Sequence, residues 1–324
     1  MIRVLSFLLI LSAMLPDLLS AQVQATAESR VESAKAYDDK PYKSEYFRVR
    51  GAPRLTVQTV SGNVDVYHNP ELNGVQVDLY LEREFSLWSG SRNLDNYRIM
   101  IHQQGDQIIA SVEPKRSVRV SADSPIRFNF VVQTPYEVST NLRTLDGEIR
   151  LSNVSGRHFI ENKMGDLAVQ RISGEIRIVS VAGNVGISEA EGTVFVKTVN
   201  GNVRASESSG EIRIRTVSGS INASAIAGTL VSASTSGNIS ADIDSVSKGI
   251  FMETMSGNID LNLPAIYGYD IQGSGISFDL EGLNPNTITQ REQNHRNLSL
   301  VIREGGLPIQ LSSFSGQIRL SESQ

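Results

Sequence analysis

The 324-residue chain contains no cysteine. That excludes a disulfide framework, a thiolate metal site and a cysteine nucleophile. Histidine is nearly as scarce: His68, His102, His158 and His295 fall in separate segments and form no H-E-x-x-H pair, so a zinc centre lacks its ligands. One tryptophan and 6% aromatics leave little material for a bulky core. No charge of one sign dominates, the formal net charge being -5, and no basic tract offers the electrostatic footprint of a nucleic-acid partner. There is no Walker loop and no G-x-S-x-G elbow, while Gly273-Ser-Gly275 stands in strand-like surroundings and opens no helix. The G-G-x-G-x-D unit of calcium-binding β-rolls is missing too, Asp146, Asp166 and Asp260 being isolated. No cofactor and no metal are expected, and the chain reads as a non-enzyme.

Glycine, in contrast, is plentiful, and it is regular. From Gly147 it recurs every nine residues through Gly156, Gly165, Gly174, Gly183, Gly192, Gly201, Gly210, Gly219 and Gly228 to Gly237. The second residue after each is apolar apart from His158, and the fourth is apolar apart from Ser232. Two inward positions with one outward residue between them make a short strand, so each unit is one strand and one corner. His158 then reads as a core histidine with its ring nitrogens satisfied or as a bulge that turns Phe159 inward, ahead of a site residue.

The true period is twice as long. Three residues before alternate glycines stand Thr144, Asn162, Ser180, Thr198, Thr216 and Ser234, whereas the other units have Asn153, Arg171, Glu189, Glu207 and Ala225. Coils of 18 residues would stack about 4.8 Å apart and align the Thr/Ser/Asn row as a hydroxyl and amide ladder. The expected fold is all-β, a single-stranded parallel β-helix (β-solenoid) with about 18 residues per coil. Gly147, Gly165, Gly183, Gly201, Gly219 and Gly237 are its structural corners, where positive φ is tolerated without a Cβ clash.

The remaining chain divides around this array. Residues 1–21 read as a signal peptide, with Met1-Ile2-Arg3, an apolar run from Val4 to Leu15, and Leu19-Ser20-Ala21 before the cut. That run is shorter than the ~20 residues a spanning helix needs, and no second one follows, so the mature chain is expected to carry no transmembrane span. Polar residues 22–44 read as a flexible linker. The solenoid occupies 45–324, with 75–135 as an inserted antiparallel cap, 144–261 as the regular array, and 262–324 as a C-terminal excursion with a last coil. Two extra residues around Ser245 to Lys248 interrupt the array without ending it.

The units Thr59-Val-Ser-Gly-Asn-Val64, Thr198-Val-Asn-Gly-Asn-Val203, Thr216-Val-Ser-Gly-Ser-Ile221 and Ser312-Ser-Phe-Ser-Gly-Gln-Ile318 resemble a bacterial β-strand-repeat family named for adhesins, a domain family of unknown function. The resemblance covers roughly residues 45 to 322. It implies an exported parallel β-helix and supplies no catalytic or binding positions.

Function is then to be sought in the outward rows between the glycines, in the 75–135 insertion, or at the C-terminal excursion. At the third position of alternate units stand Phe159, Arg177, Phe195, Arg213 and Val231, 18 apart, so that arginine and phenylalanine alternate down one face. This row reads as a strip facing a glycan or protein, or as lateral stabilisation of a solvated sheet by cation–π contacts. Trp88, in the loop Phe85 to Gly90, reads as an exposed contact or as packing over the cap. The leading expectation is an adhesin-like or scaffolding protein of the periplasm or cell surface, with an envelope protein or glycan as partner and no nucleic acid. The alternatives are an envelope stress or signalling accessory that binds a membrane partner, and a glycan-active β-helix enzyme.

Overall fold

The computed structural model describes residues 40–83, 94–115 and 126–323. The expected signal peptide, most of the expected linker, and Trp88 lie outside the described residues. The strands, in chain order, are β1 (Lys43–Arg48), β2 (Arg54–Thr59), β3 (Val64–His68), β4 (Gly74–Arg83), β5 (Tyr97–Gln104), β6 (Gln107–Pro114), β7 (Ile126–Thr134) and β8 (Ser139–Asp146), followed by the long strands β9 (Ile149–Met164), β10 (Leu167–Ala182), β11 (Val185–Asn200), β12 (Val203–Ser218), β13 (Ile221–Ser236) and β14 (Ile239–Ser256). The chain then continues through β15 (Ile259–Pro264), β16 (Tyr269–Ser274), β17 (Ser277–Gly282), β18 (Ile288–Gln293), β19 (Asn297–Ile302), β20 (Leu307–Ser313) and β21 (Gln317–Ser323). Lys43 and Ser44, read from the sequence as the end of the linker, are already in β1.

The long strands are the coils of a parallel β-solenoid. Leu167 pairs with Ile149 on one side and Val185 on the other, and the 18-residue offset holds from β9 through β13. Inward residues such as Ile149, Leu151, Ile176, Ile178, Val194 and Val196 are buried, as alternation along a half-buried strand requires. At β14 the register slips: Ile226 meets Ile243, but Leu230 meets Ile250. The two extra residues are absorbed there as an irregularity in one corner.

The two corners of each coil differ. At the first, glycines of successive coils stack backbone on backbone. Gly201 has φ +150°, and a Cβ placed on it would lie 2.8 Å from the carbonyl carbon of Gly183 and closer still to its oxygen. At the second corner Gly156, Gly174, Gly192, Gly210 and Gly228 stack in the same way, and a further tight bend falls three residues earlier on Asn153, Arg171, Glu189, Glu207 and Ala225, all left-handed with φ of 49° to 56°. These are the variable positions of the sequence. Stacking of the flanking strands imposes a conformation that costs an isolated L-residue roughly 1–2 kcal/mol.

Two polar rows run along the first corner. In the first, Asn162 Nδ2, Ser234 Oγ and Thr254 Oγ1 donate to the carbonyls of Gly147, Gly219 and Gly237, at 3.1, 3.1 and 3.0 Å. The expected ladder therefore bonds to the glycine backbone of the preceding coil rather than from side chain to side chain. Ser180 and Thr198 make no such bond among the described residues. The second row follows the glycines directly: the Asn184 amide donates to Asp166 Oδ1 at 2.8 Å, that of Asn202 to Asn184 Oδ1 at 3.1 Å, and that of Ser220 to Asn202 Oδ1 at 2.9 Å.

His158 points inward, 2% exposed, in unbroken register with Ile176, while Phe159 stays outward. There is no bulge. Its Nδ1 lies 3.0 Å from Thr140 Oγ1, but Nε2 has no partner among the described residues, so one ring nitrogen is satisfied and not both. Burial pushes its pKa down to about 4.

Both ends are closed by the same device. At the N-terminal end, β2 and β3 stack on β8 and β9, and β6 and β7 form a further parallel layer beyond them. Antiparallel strands then take over: β5 pairs with β6, β4 with β7, and β1 with β4. At the C-terminal end, β20 and β21 stack on β14 and β15, yet the outer layer on them is β16 and β17, which precede them in the chain. Antiparallel β19 and β18 follow. The chain thus passes over a layer, builds the outermost one and returns to fill the gap. Among the described residues, no helix is long and apolar enough to cross a membrane.

Candidate functional site: an outward row and its terminal groove

The register places Phe159, Arg177, Phe195 and Arg213 side by side on neighbouring coils, as the spacing predicts. Their side chains do not form one continuous ladder. The Arg177 guanidinium lies over the Phe195 ring at 4.8 Å, whereas Phe159 is covered by Arg143 from the adjacent row at 5.4 Å. Arg213 turns to Glu211, its Nε donating to Oε1 at 2.6 Å. An exposed pair of this kind contributes little, about 0.5–1 kcal/mol.

The row does not stop at Arg213. Arg213 pairs with Val231, Val231 with Phe251, Phe251 with Gln310, Gln310 with Gln272, and Gln272 with Ser299. The last five face a depression of about 700 Å³ in which the C-terminal strands β16, β19 and β18 join the solenoid face. A second outward row, Ala233, Glu253, Ser312, Ser274 and Asn297, lies beside it in the same groove, with Arg215 and Glu292 at the margins.

Sequence reasoning reached Val231 and missed Phe251, Gln310 and Gln272. The signal for Phe251 is present once the two inserted residues before it are discounted, and Gln310 is the outward residue of Pro308-Ile-Gln-Leu311. Gln272 is reached only because the chain skips a layer, which no spacing reveals. Gly147, Gly165, Gly183, Gly201, Gly219 and Gly237 lie at the first corner of their coils, away from this surface.

The groove's chemistry is polar and uncharged in the main. Glu253 and Glu292 are both solvent-exposed, the opposite of the desolvated setting that a general acid for glycosidic cleavage needs. Among the described residues, no group of three or more His, Asp or Glu side chains is placed to hold a metal ion. A smaller depression of about 560 Å³ lies at the second corner near Tyr136, Arg171 and Glu189, where Arg171 is held by Asn153 at 2.6 Å and faces Glu189 at 3.5 Å.

Stacked coils with glycine corners, closed by strands at both ends, define a parallel β-solenoid. The chain belongs to the Toastrack DUF4097 family, whose model matches residues 35–321. Solved structures similar to it include a protein of Bacteroides fragilis NCTC 9343 described as an adhesin (12% identity, 86% of this chain and 96% of that one, TM-score 0.39). A described cell adhesion protein of Clostridium sporogenes ATCC 15579 is 11% identical over 88% of this chain and 100% of its own, with a TM-score of 0.25. A described lipid binding protein of Parabacteroides distasonis ATCC 8503 is 15% identical over 67% and 95%, with a TM-score of 0.26. No curated protein matches.

Proposed function

We propose that the protein is an exported, non-enzymatic binding protein of the cell envelope, adhesin-like in action, whose working surface is the outward face carrying Phe159, Arg177, Phe195 and Arg213. The observation that carries this reading is the continuity of the row: residues 18 apart in the array run without a break into a groove at one end. A row whose role was only to stabilise the sheet would have no reason to end in a concavity lined with polar side chains. The apolar start of the sequence, followed by small residues, supports export.

The test is retention of purified protein on intact cells or isolated envelopes of the source bacterium, before and after Arg177→Ala with Arg213→Ala. Both side chains are exposed, so the fold is expected to keep its thermal midpoint within about 1–2 °C. Retention should fall several-fold. Undiminished retention by a folded double variant would remove the lateral face from the reading.

A further inference from the structure

We infer that the groove between the solenoid face and β18–β19 is a binding site for a neutral glycan strand, with Phe251 as its stacking platform and Gln272 and Gln310 as its principal hydrogen-bonding groups. This rests on the binding role proposed above and names the ligand class.

The floor is a sheet face in which the side chains of neighbouring strands are held in register. Phe251, Gln310 and Gln272 stand on three adjacent strands, and Ser299 on a fourth. At about 4.8 Å per strand, the floor from Val231 to Ser299 is roughly 20 Å long. Each glutamine amide offers two donor hydrogens and a carbonyl acceptor, and each serine hydroxyl both donates and accepts. Sugar hydroxyls have the same dual character. Among the described residues, the side chains of Gln272 and Gln310 make no intramolecular hydrogen bond, unlike Gln290 and Gln293 of β18, which are tied to Glu292 and Arg291. The floor amides are thus available to a ligand.

Phe251 and Val231 supply an apolar strip beside these amides. An aromatic face against the C–H face of a pyranose, flanked by planar amides, is suited to a carbohydrate. Charge argues in the same direction. Arg215 is opposed by Glu253 and Glu292 in the groove, leaving a slight negative balance that repels an acidic polymer. An extended peptide would be recognised by main-chain pairing to a free edge, but the floor strands β14, β20, β16 and β19 are each paired on both sides.

Calorimetric titration of the full chain with chitohexaose and cellohexaose as neutral probes tests this, with hexagalacturonate and a Ser/Thr-rich dodecapeptide as controls. One or both neutral hexasaccharides should bind, and the controls should not. Phe251→Ala should weaken binding about ten-fold, and Gln272→Ala with Gln310→Ala by a similar factor, at unchanged thermal midpoint. Rescue of part of the loss by Phe251→Tyr would mark stacking. The inference is overturned if neither neutral probe binds at millimolar concentration, if the folded Phe251→Ala protein binds as well as the parent, or if hexagalacturonate or the peptide binds in their place. Arg177→Ala with Arg213→Ala separates the two readings. If that variant loses cell retention while neither probe binds the parent, the groove assignment falls alone; if probe binding depends on Phe251 but cells are not retained, the adhesive reading falls alone.

Discussion

Replacing Gly201 by alanine adds one methyl group, and the structure sets its cost. The new Cβ would lie 2.8 Å from the carbonyl carbon of Gly183, 3.4 Å from the amide nitrogen of Asn184 and nearer still to the Gly183 oxygen. All three atoms belong to backbone inside a stacked sheet, so no side chain can swing aside. The coils must separate locally, which weakens the Gly183 amide's bond to the Asn200 carbonyl at 3.1 Å and the Val185 amide's bond to the Asn202 carbonyl at 2.9 Å. Strain at φ +150° adds about 1–3 kcal/mol, and two impaired backbone bonds add about 1 kcal/mol each. The expected loss is about 3–5 kcal/mol, or roughly 6–15 °C in thermal midpoint for a domain of this size. Two controls isolate the cause. Gly186, with an ordinary φ and only the Leu167 oxygen near an added methyl, at 3.8 Å, should accept alanine with little change. Gly105, at φ +63° with nothing within 4 Å, should lose only about 1 kcal/mol, the cost of conformation without collision. Urea titrations of the three variants read the differences directly. If Gly201→Ala matches Gly186→Ala, the stacked-carbonyl account of the corner is wrong.

Acid should act through His158. Its folded pKa of about 4 lies below the ordinary 6.5 because burial disfavours the cation. Between those values the unfolded chain takes up a proton that the folded chain refuses, so this group's contribution is complete above pH 6.5 and is lost as pH falls to 4. The loss by pH 4.5 is about 2–3 kcal/mol. His158→Ile, which installs the residue found at Ile176 one coil on, should flatten that part of the pH profile; a slope equal to the parent's in urea midpoints at about pH 7.5 and 4.5 would disprove the assignment. Along the asparagine row, Asn202→Ala should cost about 0.5–1.5 kcal/mol because Ser220 loses its acceptor. Asn202→Asp keeps an acceptor oxygen, as Asp166 does for Asn184, and should recover most of that stability; equal melting of the Ala and Asp variants would show that the acceptor is immaterial.

The parts of the fold that were legible in the sequence are those in which one physical demand falls on every coil. A glycine is required wherever backbone stacks on backbone, and alternation is required wherever one strand face is buried, so Gly147 to Gly237 and the inward Ile/Val/Leu positions announce the solenoid. The second corner is marked by its own glycines, Gly156 to Gly228, but its tight bend three residues earlier is not. Asn153, Arg171, Glu189, Glu207 and Ala225 share a left-handed conformation without sharing a side-chain type, because neighbouring coils rather than local preference hold it. The Asn/Asp row after the glycines was visible but carried no distinctive spacing beyond that of the glycines themselves. The groove was hidden for a topological reason: Gln272 and Gln310 are 38 residues apart in the chain yet adjacent in the sheet, and the period that identifies the array ends before either is reached.

The way both ends are finished has a bearing on length. Because the terminal layers are locked by strands that pass over and return, each end is assembled from its own segments, and the coils between β9 and β13 touch only their neighbours. Adding or removing 18 residues would therefore move the two ends apart or together by about 4.8 Å and leave the chemistry at either end as it was. The central array is a ruler, graduated in whole coils, that fixes how far the amide-lined groove is carried from the end where the chain enters.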